Sequence, residues 1–313
     1  MEKETLRGAF SEEILKKAKQ DRNVVAVCTD SRGSASIGAF AEELPEQFTE
    51  MGIAEQNAVT VSAGMALAGK KVFTIGPASF YSMRSAEQIK VDVAYTRADV
   101  KIIGISGGLS YGALGATHHS LQDIALMRSI PGLVVEIPSD AVQMRALVDL
   151  FLEDQRPAYI RVGRGAVPVI YEEGRSFRIG KAETFGTGRD LAIFACGQMV
   201  YRAVQAAGML AEKGIQARVY DMHTIKPLDL EAVREACLEC GGILTVEEHS
   251  IYGGMGSAVA EEVIQTQAVP FSILGVPDEE VPNGSDSEVF CHYGLDAEGI
   301  AKAAEKLVSK KSV

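Results

Sequence analysis

The chain has 313 residues, 47% hydrophobic and 23% charged, enough to bury large cores and build two ordinary folded domains. A formal net charge of −11 excludes a surface made for nucleic acid or anionic lipid, because phosphate recognition needs clustered Lys and Arg. No run approaches the roughly 18 apolar residues of a membrane helix, the charged start Met-Glu-Lys-Glu-Thr lacks a signal-peptide core, and the five cysteines (Cys28, Cys196, Cys237, Cys240, Cys291) fit a reduced cytoplasm.

In chain order, Ser11 reads as the cap of an amphipathic helix over 12–19, with Ile14 and Leu15 on its apolar side. The valine-rich run 24–29 reads as a buried parallel strand. Further strands are expected at 71–75, 100–105, 133–137 and 158–161, alternating with helices at 55–67, 82–96, 121–129 and 139–152. The polar, weakly periodic stretch 168–189 reads as the interdomain connection. Alternation then resumes, with strands at 191–195, 217–220, 243–246 and 271–274 and helices at 200–213, 230–239, 256–266 and 297–308. The expected fold class is α/β with two domains, 1–170 and 189–313, joined by a linker at 171–188. Each is a mostly parallel sheet with helices on both faces.

Several residues could carry chemistry. Glu55 opens a helix, where the dipole alone favours a carboxylate by a few tenths of a kcal/mol. The run Gly64 to Lys70 is close to a phosphate-binding loop, but Lys71 replaces the required hydroxyl, and the run closes a helix instead of opening one. Gly69 is therefore read as a helix C-cap. Phe80 and Tyr81 follow a strand at the ligand-binding end of an open α/β sheet. The loop 106–120 carries Gly107, Gly108, Gly112 and Gly115, which permit close backbone approach to a ligand. It ends in Thr117-His118-His119, whose adjacent imidazoles point in different directions. Arg161 and Arg164 read either as surface charge or as binders of an anionic tail. Cys237 and Cys240 form a Cys-x-x-Cys, but no second ligand pair for zinc appears and the pair ends a helix, so the reading is structural.

Gly52-Ile53-Ala54-Glu55-Gln56-Asn57, then Phe80-Tyr81-Ser82-Met83-Arg84, then the Thr117-His118-His119 loop resemble, in that order, the pyrimidine-binding half of the thiamine-diphosphate enzymes of the transketolase family. The segment from Tyr220 to Asp229 (Tyr-Asp-Met-His-Thr-Ile-Lys-Pro-Leu-Asp), with Glu247-Glu248-His249 and Gly253-Gly254-Met255-Gly256, resembles the family's C-terminal domain. Together the resemblance covers nearly the whole chain. It implies that Glu55 is catalytic, hydrogen-bonding N1′ of the aminopyrimidine from a desolvated pocket with its pKa raised. Phe80 would stack on that ring, with Met83 and Asp30 also beside the cofactor. His118 would face the substrate as proton donor or acceptor, with His119 as support. Leu114 and Arg161 fall on the substrate side.

Three positions depart from the family pattern. Leu114 stands where most members carry an aspartate, Ile137 where full-length enzymes carry a phosphate-binding arginine, and Pro77 where an aromatic is usual. No Gly-Asp-Gly occurs anywhere. The resemblance therefore implies that the diphosphate and Mg2+ of thiamine diphosphate are held mainly by another polypeptide, with no metal ligand in this chain. That partner would be the N-terminal subunit of a split transketolase, in a two-plus-two heterotetramer with self-association through the C-terminal domain. The implied reaction is transfer of a two-carbon ketol unit from a ketose with an anionic tail to an aldose. Leu114 and Ile137 point to a donor other than xylulose 5-phosphate, such as a branched or modified sugar. The alternatives are a 2-oxoacid dehydrogenase β subunit, a deoxyxylulose-phosphate-synthase-like subunit and a non-catalytic scaffold.

Overall fold

The computed structural model describes residues 2–309. The first domain is built on a seven-stranded sheet. Its centre is Val24–Cys28, Lys71–Pro77, Val100–Ile105 and Ala158–Val162, all parallel and buried almost throughout. Helices cover both faces, so these strands are continuously apolar and do not alternate. On one face Leu6–Ala18 and Ala141–Glu153 bury Phe10, Ile14, Leu147 and Phe151 against Phe73 and Ile103. On the other, Glu55–Leu67 and Asp123–Ser129 bury Val59 and Ile124 against Ile102.

The second domain has a five-stranded sheet in the order Phe271–Val276, Ile243–Ser250, Leu191–Ala195, Ala217–Asp221, Glu183–Phe185. All pairs but the last are parallel. Both domains are thus mostly parallel sheets flanked by helices.

Several local expectations are revised. The first helix begins at Leu6, because Thr5 Oγ1 accepts from the Gly8 N–H and caps it; Ser11 lies inside the helix and its hydroxyl donates to the Ser36 carbonyl at 2.6 Å. The helix expected at 82–96 starts earlier, at Ala78. Pro77 ends the strand and the chain turns directly into Ala78–Arg84. It then breaks at Ser85 and continues through Ala86–Gln88 into a π-helical turn, Ile89–Tyr95. Phe80 therefore sits in the first turn of a helix, not at a strand end. The helix Asp286–Tyr293 was not expected; Ser285 and Glu288 close it with a reciprocal capping box. Cys237 and Cys240 are buried and unbridged in the core.

The two domains share more than a linker. Residues 183–185, within the expected connection, form the edge strand of the second sheet, and Thr224–Lys226 crosses back to pair antiparallel with Val134–Glu136 of the first. At that crossing His223 Nδ1 donates to Glu136 Oε1 at 2.5 Å, and both side chains are fully buried. Burial lowers the His223 pKa, but the charge and hydrogen bond of Glu136 outweigh it, with Asp221 and Glu183 adding, so the imidazole is pushed up to about 9. A histidine raised in the folded state contributes stability that is complete below its unfolded pKa of about 6.5 and lost as pH rises through the folded value. Thermal unfolding should therefore fall in temperature between pH 7 and pH 9.5, and more steeply in the wild type than in His223→Gln. Parallel pH profiles for the two proteins would overturn this assignment.

Candidate functional site

The carboxyl ends of Val24–Cys28, Lys71–Pro77 and Val100–Ile105 lie side by side, the position where open α/β sheets bind ligands. Glu55 is delivered there from the edge strand Phe48–Glu50 through Met51 to Ala54. It is the first residue of its helix, 2% exposed, and no side chain caps that helix end. Arg84, in the last turn of Ala78–Arg84, donates from Nη1 to Glu55 Oε2 at 2.6 Å. The same guanidinium lies over the Phe80 ring, 4.8 Å from its centroid.

From Phe80 the row continues. The Phe80 and His118 rings stand edge to face at 5.4 Å, and so do His118 and Tyr111. Arg164 closes the row over Tyr111 at 4.9 Å. His118 Nδ1 is hydrogen-bonded to Thr117 Oγ1 at 2.9 Å, which orients the ring. Hence a buried carboxylate, three rings and two guanidinium groups form one continuous wall.

His119 is buried and takes no part in the row of rings, and burial pushes its pKa below the ordinary histidine value. Met83 and Leu114 are exposed at 59% and 53%, with Ile53 at 76%, and all three flank the row as uncovered apolar groups. Asp30 is exposed just past Val24–Cys28 with a left-handed backbone (φ 46°), and its N–H donates to Glu50 Oε1.

Arg161 does not reach this wall. It is 5% exposed and its Nη2 donates to the Glu248 carbonyl at 2.6 Å, with the Asp123 and Glu248 carboxylates at 3.6 and 3.7 Å. Arg161 lies within the strand and points into the domain junction, whereas Arg164 lies beyond the strand end and is free to turn outward. Arg84 and Tyr111 were missed as site residues. The available signal for Arg84 was its place one helical turn after Phe80, where i and i+4 side chains meet. For Tyr111 there was none.

The wall tests the cofactor that the resemblance implies. A buried acceptor, an aromatic face and an imidazole fit a flat heteroaromatic ring bearing an N–H. Among the described residues no group of three or more His, Cys, Asp or Glu side chains is placed to hold a metal ion. No helix among them is long and apolar enough to cross a membrane.

Residues 2–169 match the family model described as transketolase, pyrimidine binding domain, and residues 180–300 match transketolase, C-terminal domain. The chain is 55% identical to one of the subunits of the apulose-4-phosphate transketolase of Phocaeicola vulgatus, over 97% of either chain. It is 36% identical to the 6-deoxy-6-sulfo-D-fructose transketolase subunit SqwH of a Clostridium species, over 100% of this chain and 97% of that one. A solved structure described as split gene transketolase, inactive beta4 tetramer, superimposes with a TM-score of 0.90 at 35% identity, over 97% of this chain and 98% of that chain. The chain therefore belongs to the transketolase family, as the subunit of a split transketolase that carries the pyrimidine-binding and C-terminal domains.

Proposed function

We propose that this chain works with thiamine diphosphate and Mg2+ bound mainly by a separate N-terminal subunit, and that its donor is an anionic ketose other than xylulose 5-phosphate. Apulose 4-phosphate is the donor to test first. The observation that carries this reading is the unbroken wall from Glu55 through Phe80 and His118 to Arg164. When bound, thiamine diphosphate supplies the carbon nucleophile that takes up a two-carbon unit. Glu55 holds or releases a proton at the pyrimidine ring from a site that excludes water. Phe80 and the exposed Met83 line that ring, with Asp30 at its rim. His118, oriented by Thr117, moves a proton at the substrate carbonyl or hydroxyl. Leu114 places an apolar group where an aspartate would select a donor hydroxyl.

The 55% identity to an apulose-4-phosphate transketolase subunit supports the choice of donor. Leu238 and Ile264, 70% and 82% exposed on helices that pack together, support self-association through the C-terminal domain. The unbridged cysteines fit the cytoplasm.

Reconstitution tests the reading. The chain is co-purified with a polypeptide carrying Gly-Asp-Gly, and two-carbon transfer from apulose 4-phosphate to an aldose is assayed with both cofactors. Turnover that needs both chains, from a heterotetramer by mass, is expected. Turnover by this chain alone, or a complex that instead consumes pyruvate, would overturn the proposal.

A further inference from the structure

The loop that carries His118 is tied at its base by Gly108 and Ser120, each of which donates its N–H to the other's carbonyl, at 3.1 and 2.8 Å. Further anchors come from the second domain. Leu109 and Leu121 are buried in that domain's core with Leu244, Val246 and Phe290. The Leu109 N–H donates to Glu248 Oε1 at 2.6 Å, and the Ser250 N–H donates to the Leu121 carbonyl at 3.0 Å. The tip of the loop, Gly112–Thr117, rests on residues 283–286, which lead into the helix Asp286–Tyr293. We propose that this turn of the C-terminal domain is a positioning element for catalysis: it fixes the tip of the loop and thereby sets where His118 stands. This deepens the transketolase reading and rests on it.

Two glycines show how close the contact is. A Cβ on Gly112 would lie 2.4 Å from the Gly284 carbonyl oxygen, and one on Gly115 would lie 2.5 Å from Asn283 Oδ1. Gly112 lies outside the left-handed region, so the neighbouring backbone, and not its own conformation, calls for glycine there. Gly115 is left-handed (φ 71°, ψ −160°), a conformation glycine adopts without strain. That turn aims its carbonyl at the next residues, where it accepts the N–H groups of His118 and His119 at 3.0 and 3.2 Å. A shift of the tip therefore reaches His118 through a single backbone hydrogen bond.

Asp286 adds a polar contact to the steric one. Burial pushes its carboxyl up, and a hydrogen bond from the Gly112 N–H pulls it back down. The tip is thus held by shape at Gly284 and Asn283 and by charge at Asp286. A proton-transfer group must stand within hydrogen-bond reach of the atom it serves, and a displacement of about 1 Å can cost as much as 10²-fold in rate. The second domain therefore takes part in the reaction through the loop it holds.

The test uses the assembled two-chain enzyme with two substitutions. Gly112→Ala pushes the tip off the Gly284 carbonyl. Asp286→Ala removes the carboxyl, while Ser285 and Glu288 still cap the helix and guard against misfolding. Each should lower kcat for two-carbon transfer about tenfold or more, with a smaller change in donor KM. Asp286→Asn keeps an oxygen acceptor for the Gly112 N–H and should recover most of the loss. On a His118→Ala background neither substitution should lower kcat further, because both act through that ring. Hydrogen exchange at the amides of 112–119, read by mass spectrometry on the same complexes, should speed up in both variants. Wild-type kcat in both folded variants, or a loss that persists in full on the His118→Ala background, would overturn the positioning role. An assembled enzyme that transfers no two-carbon unit, yet shows faster loop exchange in both variants, would sink the transketolase reading and leave the turn as the holder of the loop.

Discussion

Glu55→Gln in the assembled enzyme is expected to lower kcat for two-carbon transfer by about 10²- to 10⁴-fold, the range of a positioned proton-transfer group. The substitution keeps the size and shape of the side chain and removes its ability to exchange a proton. Glu55 is buried at a helix N-terminus, where the dipole favours a negative charge, and its carboxylate is paired with Arg84. Arg84 is itself half exposed, so on losing its partner it can turn to water. The stability change should therefore be small, about 1 kcal/mol or less, because the cation of the pair stays at the surface and the substitution leaves no buried charge behind. The measurement is a rate on the complex alongside thermal unfolding of the variant. Near-wild-type turnover in a folded complex would remove Glu55 from the mechanism and favour a scaffold role.

Arg161→Met should act in the opposite way, through stability. Arg161 stands between Asp123 and Glu248, both buried carboxylates. Asp123 also accepts from the Tyr159 hydroxyl at 2.7 Å, and Glu248 accepts from the Leu109 N–H at 2.6 Å and the Gln198 amide at 2.7 Å. Without the guanidinium, both carboxylates remain buried with hydrogen bonds but without the arginine that stands between them, and among the described residues only Glu248 keeps a cationic neighbour, Arg202. Removing one partner of such a buried group costs roughly 3–5 kcal/mol, a large share of the roughly 5–15 kcal/mol that holds a domain folded. Space is equally tight here, since a side chain on Gly107 or Gly108 would lie 2.3 or 2.1 Å from Arg161 atoms. Urea unfolding should show the loss as an early transition. If Arg161→Met unfolded like the wild type and instead raised the donor KM, Arg161 would belong to the substrate site.

These two residues mark what sequence reasoning reads well and where it stops. The role proposed for Glu55 came from a short local motif whose helix and strand neighbours lay close by in the chain. Arg161 looked equivalent to Arg164 because both are arginines in one five-residue run. Only packing distinguishes them, since one lies inside the last central strand and the other beyond its end. Likewise Ser11 reads as the cap in the sequence, and the structure puts the cap at Thr5. The helix starts there because the chain leaves the short pairing of Lys3–Thr5 with Ala166–Pro168 at that residue.

The amino-acid sequence by itself determined the two α/β domains, the order of nearly all their strands and helices, and the family. Each of these is written in local periodicity or in contiguous motifs, which need no knowledge of distant neighbours. The tertiary structure alone decided that Thr224–Lys226 joins the other domain's sheet, that Arg84 holds Glu55, that Arg161 is buried between domains and that Gly112 and Gly115 meet residues 283–286. Most of these contacts join segments tens of residues apart. They exist because burying two apolar sheets brings particular edges and helix ends together, and no local pattern encodes which ones meet.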